Sequence, residues 1–209
     1  MPLLQESISA ANPRATLVVL HGYGSNERDL LGLAEHIGLP LEVIAFRAPI
    51  SLGMGSFAWY NLSFDEQGIR HYNEQESLAA QAMLVEELEA LRATRPRLFL
   101  AGFSQGCIQS LGIALRRPDL VDAVWLMSGA LNPEFVPSSV SAEFLALPKL
   151  VQHGTFDPVL PIEFGRGIRD YLVQVGAAHE YLEYPMAHQV SAESLADGVA
   201  RLSLWLERE

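Results

Sequence analysis

The sequence predicts an α/β fold with a mostly parallel, doubly wound sheet flanked by helices. Short apolar runs of β character alternate with helix-like segments along the chain, which is typical of successive βαβ units. Several runs are apolar on both faces, as buried parallel strands are. The chain has 209 residues, of which 49% are hydrophobic and 19% are charged. We therefore expect residues 1–209 to form one domain.

The elements follow one another in a regular order. The predicted strands cover residues 16–20, 42–47, 97–101, 123–127, 149–153 and 180–184. The predicted helices lie between and after them, at residues 27–37, 74–94, 107–116, 161–175 and 192–209. Two long stretches, 48–72 and 129–148, show no clear pattern, and each begins where a strand ends. Open α/β sheets bind ligands at the carboxyl ends of their strands, so we expect these loops to be functional.

Net charge and cysteine content limit which partners and which cellular compartment the sequence favours. A net charge of −11 would repel nucleic acids and anionic membranes, so a small neutral substrate is expected. The single cysteine, Cys107, cannot form an internal disulfide, and the N-terminal segment lacks the regions of a signal peptide. These features predict a cytoplasmic protein. Because no apolar run approaches about 20 residues, we expect no membrane insertion.

The segment Gly102-Phe103-Ser104-Gln105-Gly106 predicts a nucleophile elbow. It joins a predicted strand to a predicted helix, and a serine on so sharp a turn needs glycines beside it that do not crowd the substrate. This elbow is typical of the α/β-hydrolase fold, with the serine as nucleophile. Once the sheet and five helices are assigned, the chain has no room for a separate cap domain. We therefore predict an α/β-hydrolase fold with an open, shallow site.

Chain order and sheet edges select the partners of Ser104. The fold carries its nucleophile, acid and histidine in that order along the chain. Asp157 follows the strand at 149–153, and His188 follows the last predicted strand, so both are expected at the same edge as Ser104. His153 precedes the acid, and His179 precedes the last strand. We expect His188 to act as the base and Asp157 to orient its ring, although an Asp before Pro is also ordinary turn chemistry.

The tetrahedral intermediate of acyl transfer needs two hydrogen-bond donors in place before the reaction. One should be the backbone N–H of Gln105, the residue after the nucleophile. The loop after the first predicted strand, His21-Gly22-Tyr23-Gly24, should supply the other through the Tyr23 N–H. A plain glycine turn is the alternative interpretation of this loop, and its position beside an elbow favours the oxyanion hole.

These motifs resemble those of the small cytosolic carboxylesterases, a family that includes acyl-protein thioesterases and lysophospholipase-like enzymes. The resemblance extends over most of the chain, at segments 20–24, 47–49, 58–60, 102–106, 153–158 and His188. It implies a Ser104, Asp157 and His188 triad with oxyanion amides at Tyr23 and Gln105. Tyr23 stands where the family usually has leucine, and Cys107 where it usually has glycine. These departures bear on acyl preference and on the packing under the elbow.

The loop at 53–60 combines glycines with large apolar side chains, as an acyl-binding wall would. We predict that Met54, Phe57, Trp59 and Tyr60 contact the substrate, although Trp59 and Tyr60 could equally anchor the loop to the core. The predicted substrates are short to medium acyl esters. Exposed apolar residues near the long loops leave a homodimer open.

Several other functions compete with a serine carboxylesterase. The same chemistry supports hydrolysis of thioesters on acylated proteins, or of lysophospholipids. A dienelactone hydrolase usually carries cysteine at the elbow, and a non-catalytic binding scaffold usually lacks a triad member, so neither fits well. A metal hydrolase would gather His21, His153, His188 and Asp157, but their spacing matches no known ligand motif. No metal or cofactor is expected, and Cys107 is expected to be a small buried apolar group.

Overall fold

The computed structural model of the chain describes residues 2–67 and 70–208. Eleven strands occur in these residues: β1 Gln5–Ser9, β2 Ala15–Leu20, β3 Leu41–Phe46, β4 Ile50–Gly53, β5 Ser56–Ala58, β6 Leu62–Phe64, β7 Arg70–Tyr72, β8 Leu98–Phe103, β9 Ala123–Met127, β10 Lys149–Gly154 and β11 Glu180–Tyr184. Six α-helices occur there: α1 Glu27–Ala34, α2 Glu74–Arg92, α3 Gln105–Arg116, α4 Ala142–Ala146, α5 Ile162–Val175 and α6 Ala192–Glu207.

The central sheet has the strand order β1-β3-β2-β8-β9-β10-β11. β1 runs antiparallel to β3, and the other neighbouring strands are parallel. The predicted mostly parallel, doubly wound sheet is therefore confirmed. β1 was not predicted because it is an edge strand whose residues are mostly polar and exposed, so it lacks the apolar run that marks a buried strand.

The buried strands β2, β3, β8, β9 and β10 contribute to two cores. On β2, Val18 and Leu20 face a core completed by α2, α3 and α5, and Leu17 and Val19 face the opposite core with α1 and α6. This alternation follows from the two-residue period of a strand. The carboxyl ends of β2, β8, β10 and β11 then meet at one edge of the sheet, where the predicted site residues follow them.

The two stretches without a clear pattern are partly ordered. The stretch at 48–72 holds two short antiparallel ribbons, β4–β5 and β6–β7, and the stretch at 129–148 holds α4. Strands of three or four residues are too short for a visible alternation. Gly53 and Gly55 take positive φ angles of 87° and 78° at the tip of the first ribbon, which is where glycine is favoured. Within the described residues, no helix is long and apolar enough to cross a membrane.

Candidate active site

Ser104 lies between β8 and α3 in a backbone conformation that side-chain-bearing residues rarely adopt. Its φ and ψ angles are 55° and −117°. The surrounding sheet holds it there, since the Ser104 N–H donates to the Met127 carbonyl of β9 at 3.0 Å. Such a residue stores about 1–3 kcal/mol of strain, which persists only where the neighbouring structure imposes it. The turn leaves the serine at the mouth of a cavity.

The glycines of the elbow are required by close approach. A Cβ atom on Gly102 would lie 2.2 Å from the Gly106 carbonyl oxygen, and one on Gly106 would lie 2.0 Å from the Leu20 carbonyl oxygen. Real Cβ atoms do not approach backbone so closely. The helix α3 can therefore pack directly against β2 and β8 only because these two side chains are absent.

A Gly106→Ala substitution is expected to reduce the free energy of unfolding by about 3 kcal/mol or more, since β2 or α3 must move to admit the methyl group. Gly167→Ala in α5 is the matched control, because a Cβ there meets nothing within 4 Å. That control should be neutral or slightly stabilising, since alanine favours a helix. Urea titrations of both variants measure the effect. Equal stability of the two would contradict this account of the elbow.

Three side chains form a continuous hydrogen-bonded chain at the carboxyl edge of the sheet. The Ser104 hydroxyl donates to His188 Nε2 at 2.9 Å, and His188 Nδ1 lies 2.7 Å from Asp157 Oδ2. The Asp157 side chain is fully buried, and His188 is 15% exposed. The His188 ring also packs on Phe103, with 4.8 Å between the ring centroids. The structure thus brings together the three residues that the sequence singled out.

The second oxygen of Asp157 is fixed by backbone donors. Asp157 Oδ1 accepts from the Val159 and Leu160 N–H groups, each at 2.8 Å. Beneath this turn lies His153, whose Nε2 donates to the Leu160 carbonyl at 2.7 Å and lies 3.6 Å from Asp157 Oδ2. Because both oxygens face donors, the carboxyl group can only be an acceptor, and its orientation toward His188 is set.

The two predicted oxyanion amides border the same cavity as Ser104. Gln105 is the first residue of α3, so its N–H has no partner within the helix. In the described part of the chain, the Tyr23 N–H also makes no hydrogen bond. The loop that carries it is anchored at His21, whose Nε2 accepts from the Ala48 N–H at 3.0 Å and whose Nδ1 donates to the Gly22 carbonyl at 2.8 Å.

The structure places the four residues of the predicted acyl-binding wall in different surroundings. Of its four residues, Tyr60 borders the cavity, and Met54, Phe57 and Trp59 do not. Met54 is fully exposed at the tip of the β4–β5 ribbon. Phe57 lies under the Arg47 guanidinium, 4.6 Å from its ring centroid. Phe57 and Trp59 thus contact other parts of the protein and Met54 faces solvent, and contact of these three residues with a substrate stays a prediction.

Trp59 and Gln105 tie this loop to the elbow. The buried Trp59 indole donates to the His21 carbonyl at 2.9 Å. The Gln105 side chain accepts from the Trp59 N–H at 3.0 Å and donates to the Tyr60 carbonyl at 2.8 Å. Gln105 therefore presents its backbone to the cavity while its side chain holds the neighbouring loop.

The cavity beside Ser104 has a volume of about 560 Å³. Besides Ser104, Gln105, His188, Tyr23 and Tyr60, its lining residues are Leu62, Arg70, Tyr72, Ile108, Ala130, Leu131, Asn132, Pro133, Val159, Leu160 and Phe164. None of these eleven was named from the sequence. Seven of them, Leu62, Arg70, Tyr72 and residues 130–133, lie in the stretches 48–72 and 129–148, which were expected to be functional because each begins where a strand ends.

Cys107 is fully buried beneath the elbow, and burial raises the pKa of its thiol far above the usual range. A Cβ on Gly129 would lie 2.3 Å from its sulfur atom, so the space around the thiol is filled.

The described residues contain no group of three or more His, Cys, Asp or Glu side chains that could hold a metal ion. Both ring nitrogens of His21 form hydrogen bonds with backbone groups.

Burial lowers the pKa of His21 and of His153 below the ordinary value of 6.5. The folded protein then binds fewer protons than the unfolded chain below pH 6.5, so the free energy of unfolding should fall as the pH is lowered from 7 to 5. The slope is at most about 1.4 kcal/mol per pH unit for each imidazole. Urea titrations across this range should show a shallower slope for His153→Gln than for wild type. Parallel slopes for wild type and His153→Gln would contradict the assignment.

A parallel sheet with an elbow serine, a hydrogen-bonded histidine and a buried aspartate defines an α/β-hydrolase of the serine hydrolase class. The family model described as "Phospholipase/Carboxylesterase" matches residues 6–206, and the chain belongs to that family. The predicted fold, the resemblance and the carboxylic ester hydrolase class are thereby confirmed.

Individual relatives agree with this assignment. The chain is 28% identical over 198 residues to acyl-protein thioesterase 1 of Schizosaccharomyces pombe, with 86% of each chain covered. It is similar to the crystal structure of esterase PE8, with a TM-score of 0.86, 25% identity and coverage of 98% and 99% of the two chains. The Bacillus cereus carboxylesterase shares the fold, with a TM-score of 0.78, 18% identity and coverage of 97% and 94%.

Proposed function

We propose that this carboxylesterase hydrolyses short to medium acyl esters through an acyl intermediate on Ser104. The observation that carries the proposal is the hydrogen-bonded chain from Ser104 through His188 to the buried Asp157, which ends at a cavity of about 560 Å³. A cavity of this size with a mainly apolar lining suits a small acyl group.

In the proposed reaction, Ser104 Oγ attacks the acyl carbonyl carbon while His188 Nε2 takes its proton. Asp157 stabilises the imidazolium, and the Tyr23 and Gln105 N–H groups bind the oxyanion. The tetrahedral intermediate then collapses, and His188 gives the proton to the departing alcohol oxygen. Water attacks the acyl-serine in the second half of the cycle. His188 takes a proton from that water and returns it to Ser104 as the carboxylic acid leaves.

A series of p-nitrophenyl esters from acetate to palmitate tests the substrate class. We expect kcat/KM to rise to a maximum between about four and eight acyl carbons and then to fall, because longer chains gain few further contacts once a cavity of about 560 Å³ is filled. A fluorophosphonate probe, used alongside the series, labels an activated serine covalently and so measures the reactivity of Ser104 directly. A maximum at palmitate would overturn the acyl preference, and absent labelling would overturn the enzyme mechanism itself.

Thioester hydrolysis is a second candidate, because several relatives are named acyl-protein thioesterases. The same oxyanion donors would serve a thioester carbonyl. Comparing an acyl thioester with the oxygen ester of the same acyl chain separates the two activities. Lysophospholipid hydrolysis is tested in the same panel.

The compartment and assembly are also proposals. The only cysteine is buried and unpaired, which suits a reducing cytoplasm. We propose residues 1–209 as one domain, since strands from both ends of the described chain join one sheet. Exposed apolar side chains near the cavity, such as Phe64, Phe156 and Phe164, would favour a homodimer, which sedimentation analysis would detect.

A further inference from the structure

Arg70 is the one charged side chain, apart from the titratable His188, among the described residues that border the cavity. It begins β7, in the second ribbon over the site. Its guanidinium donates to the Val159 carbonyl at 3.3 Å and lies 5.9 Å from the centroid of the Phe164 ring. A charged group in a mainly apolar binding cavity normally serves to orient a ligand.

The Arg70 guanidinium has no carboxylate partner within 4.0 Å in the described residues. Nine other arginines do have one: Arg14, Arg28, Arg47, Arg92, Arg95, Arg117, Arg166, Arg169 and Arg201. A guanidinium carries five N–H donors, and the long bond to Val159 uses one. Arg97, Arg116 and Arg208 also have no carboxylate partner in the described residues, but Arg70 is the one of these four that borders the cavity.

The acidic group at this end of the cavity is engaged elsewhere. Glu134 accepts from the Tyr72 hydroxyl at 2.7 Å, and its other oxygen accepts from Ser77 and Asn132, each at 3.1 Å. Glu134 does not itself border the cavity. Both of its oxygens are therefore satisfied by neutral donors, and the Arg70 donors stay open to a ligand.

We propose that Arg70 binds a carboxylate carried by the substrate, so that the enzyme prefers esters with a second, anionic group. The inference rests on the proposed function, because it assumes that esters are cleaved at Ser104. Arginine binds carboxylates through paired, charge-assisted hydrogen bonds, which are stronger than those between neutral groups. The carboxylate can be on the acyl part or on the alcohol part of the ester, and the two positions are tested separately.

A purely structural role is the competing account of Arg70. Through Val159, Arg70 contacts the turn whose N–H groups hold Asp157. Loss of a support for that turn would lower the turnover of every ester by a similar factor. A recognition role lowers the turnover of anionic esters selectively. The ratio of the two activities therefore separates the accounts.

The acyl arm compares p-nitrophenyl hydrogen adipate with p-nitrophenyl hexanoate, which have the same acyl length. The alcohol arm compares 4-carboxyphenyl butyrate with its neutral analogue, 4-carbamoylphenyl butyrate. In at least one of these two comparisons, Arg70→Gln is expected to lower kcat/KM for the anionic ester about 10- to 100-fold more than for the neutral one. Arg70→Lys should recover part of that ratio, because it keeps the charge and loses the paired geometry.

Arg169→Gln is the matched control, since it removes the same charge at a half-buried residue that does not border the cavity. Its ratio should equal that of the wild type. An Arg70→Gln ratio equal to wild type in both arms, or an equal loss for the neutral and anionic esters, would overturn the proposal. Failure of the proposed function would look different, because wild type would then neither hydrolyse the neutral esters nor react with a fluorophosphonate at Ser104.

Discussion

Replacing Ser104 with alanine is expected to lower kcat for ester hydrolysis by about 10⁵- to 10⁶-fold. The variant loses the atom that forms the acyl intermediate, while the oxyanion amides at Tyr23 and Gln105 are left in place. Those amides and the binding cavity account for the small activity expected to persist over the uncatalysed rate. The measurement is a steady-state and single-turnover assay with p-nitrophenyl hexanoate, beside fluorophosphonate labelling.

The elbow makes this variant a clean test. Alanine at position 104 meets the same positive φ angle of 55° as serine, so the backbone strain and the fold should be retained. Ser110→Ala is a matched control, because the buried Ser110 hydroxyl has no hydrogen-bond partner among the described residues. That control should keep full activity. Labelling of Ser104→Ala at the wild-type rate would show that another residue is the nucleophile.

Much of the fold follows from local patterns in the sequence. Five helices and six strands could be predicted because buried parallel strands are continuous apolar runs and the longer helices have many turns. The strand β1 and the two ribbons could not be predicted in this way. β1 is stabilised by pairing with β3, a contact distant in sequence, and the ribbons are too short to show a period.

In the proposed site, too, some features follow from local sequence patterns and others depend on contacts distant in sequence. Ser104, Asp157 and His188 each follow a strand end, and parallel strands bring those ends to one edge, so order along the chain predicts proximity. The cavity wall depends instead on how the ribbons fold back over the sheet. Two residues illustrate this limit. Trp59 is buried and Arg70 borders the cavity, and neither placement can be predicted from the residues next to them in the sequence.

The Gln105 side chain couples the elbow to the loop at 53–60. Its amide bonds the Trp59 N–H and the Tyr60 carbonyl, and Trp59 in turn bonds the His21 carbonyl at the start of the oxyanion loop. A displacement of this loop would therefore be transmitted to both predicted oxyanion donors. Acyl preference and turnover are thus expected to change together when Trp59 is altered.

Asp157→Asn is expected to lower kcat by about 10⁴-fold at neutral pH with little change in structure. The two N–H groups of Val159 and Leu160 face the position of Oδ1, so an asparagine must place its carbonyl oxygen there. Its NH₂ group then faces His188 Nδ1, 2.7 Å from the Oδ2 position in the wild type. A donor at that position requires Nδ1 to be an acceptor, which moves the imidazole proton to Nε2.

With its proton on Nε2, His188 cannot accept the Ser104 hydroxyl proton, so the nucleophile is not activated even though the distances are preserved. Stopped-flow acylation with p-nitrophenyl hexanoate measures the step, and Asp170→Asn in α5 is the control for loss of one exposed carboxylate. Turnover of Asp157→Asn within about tenfold of wild type would mean that His188 keeps its working tautomer without the carboxylate. Asp157 would then serve the turn rather than the proton transfer.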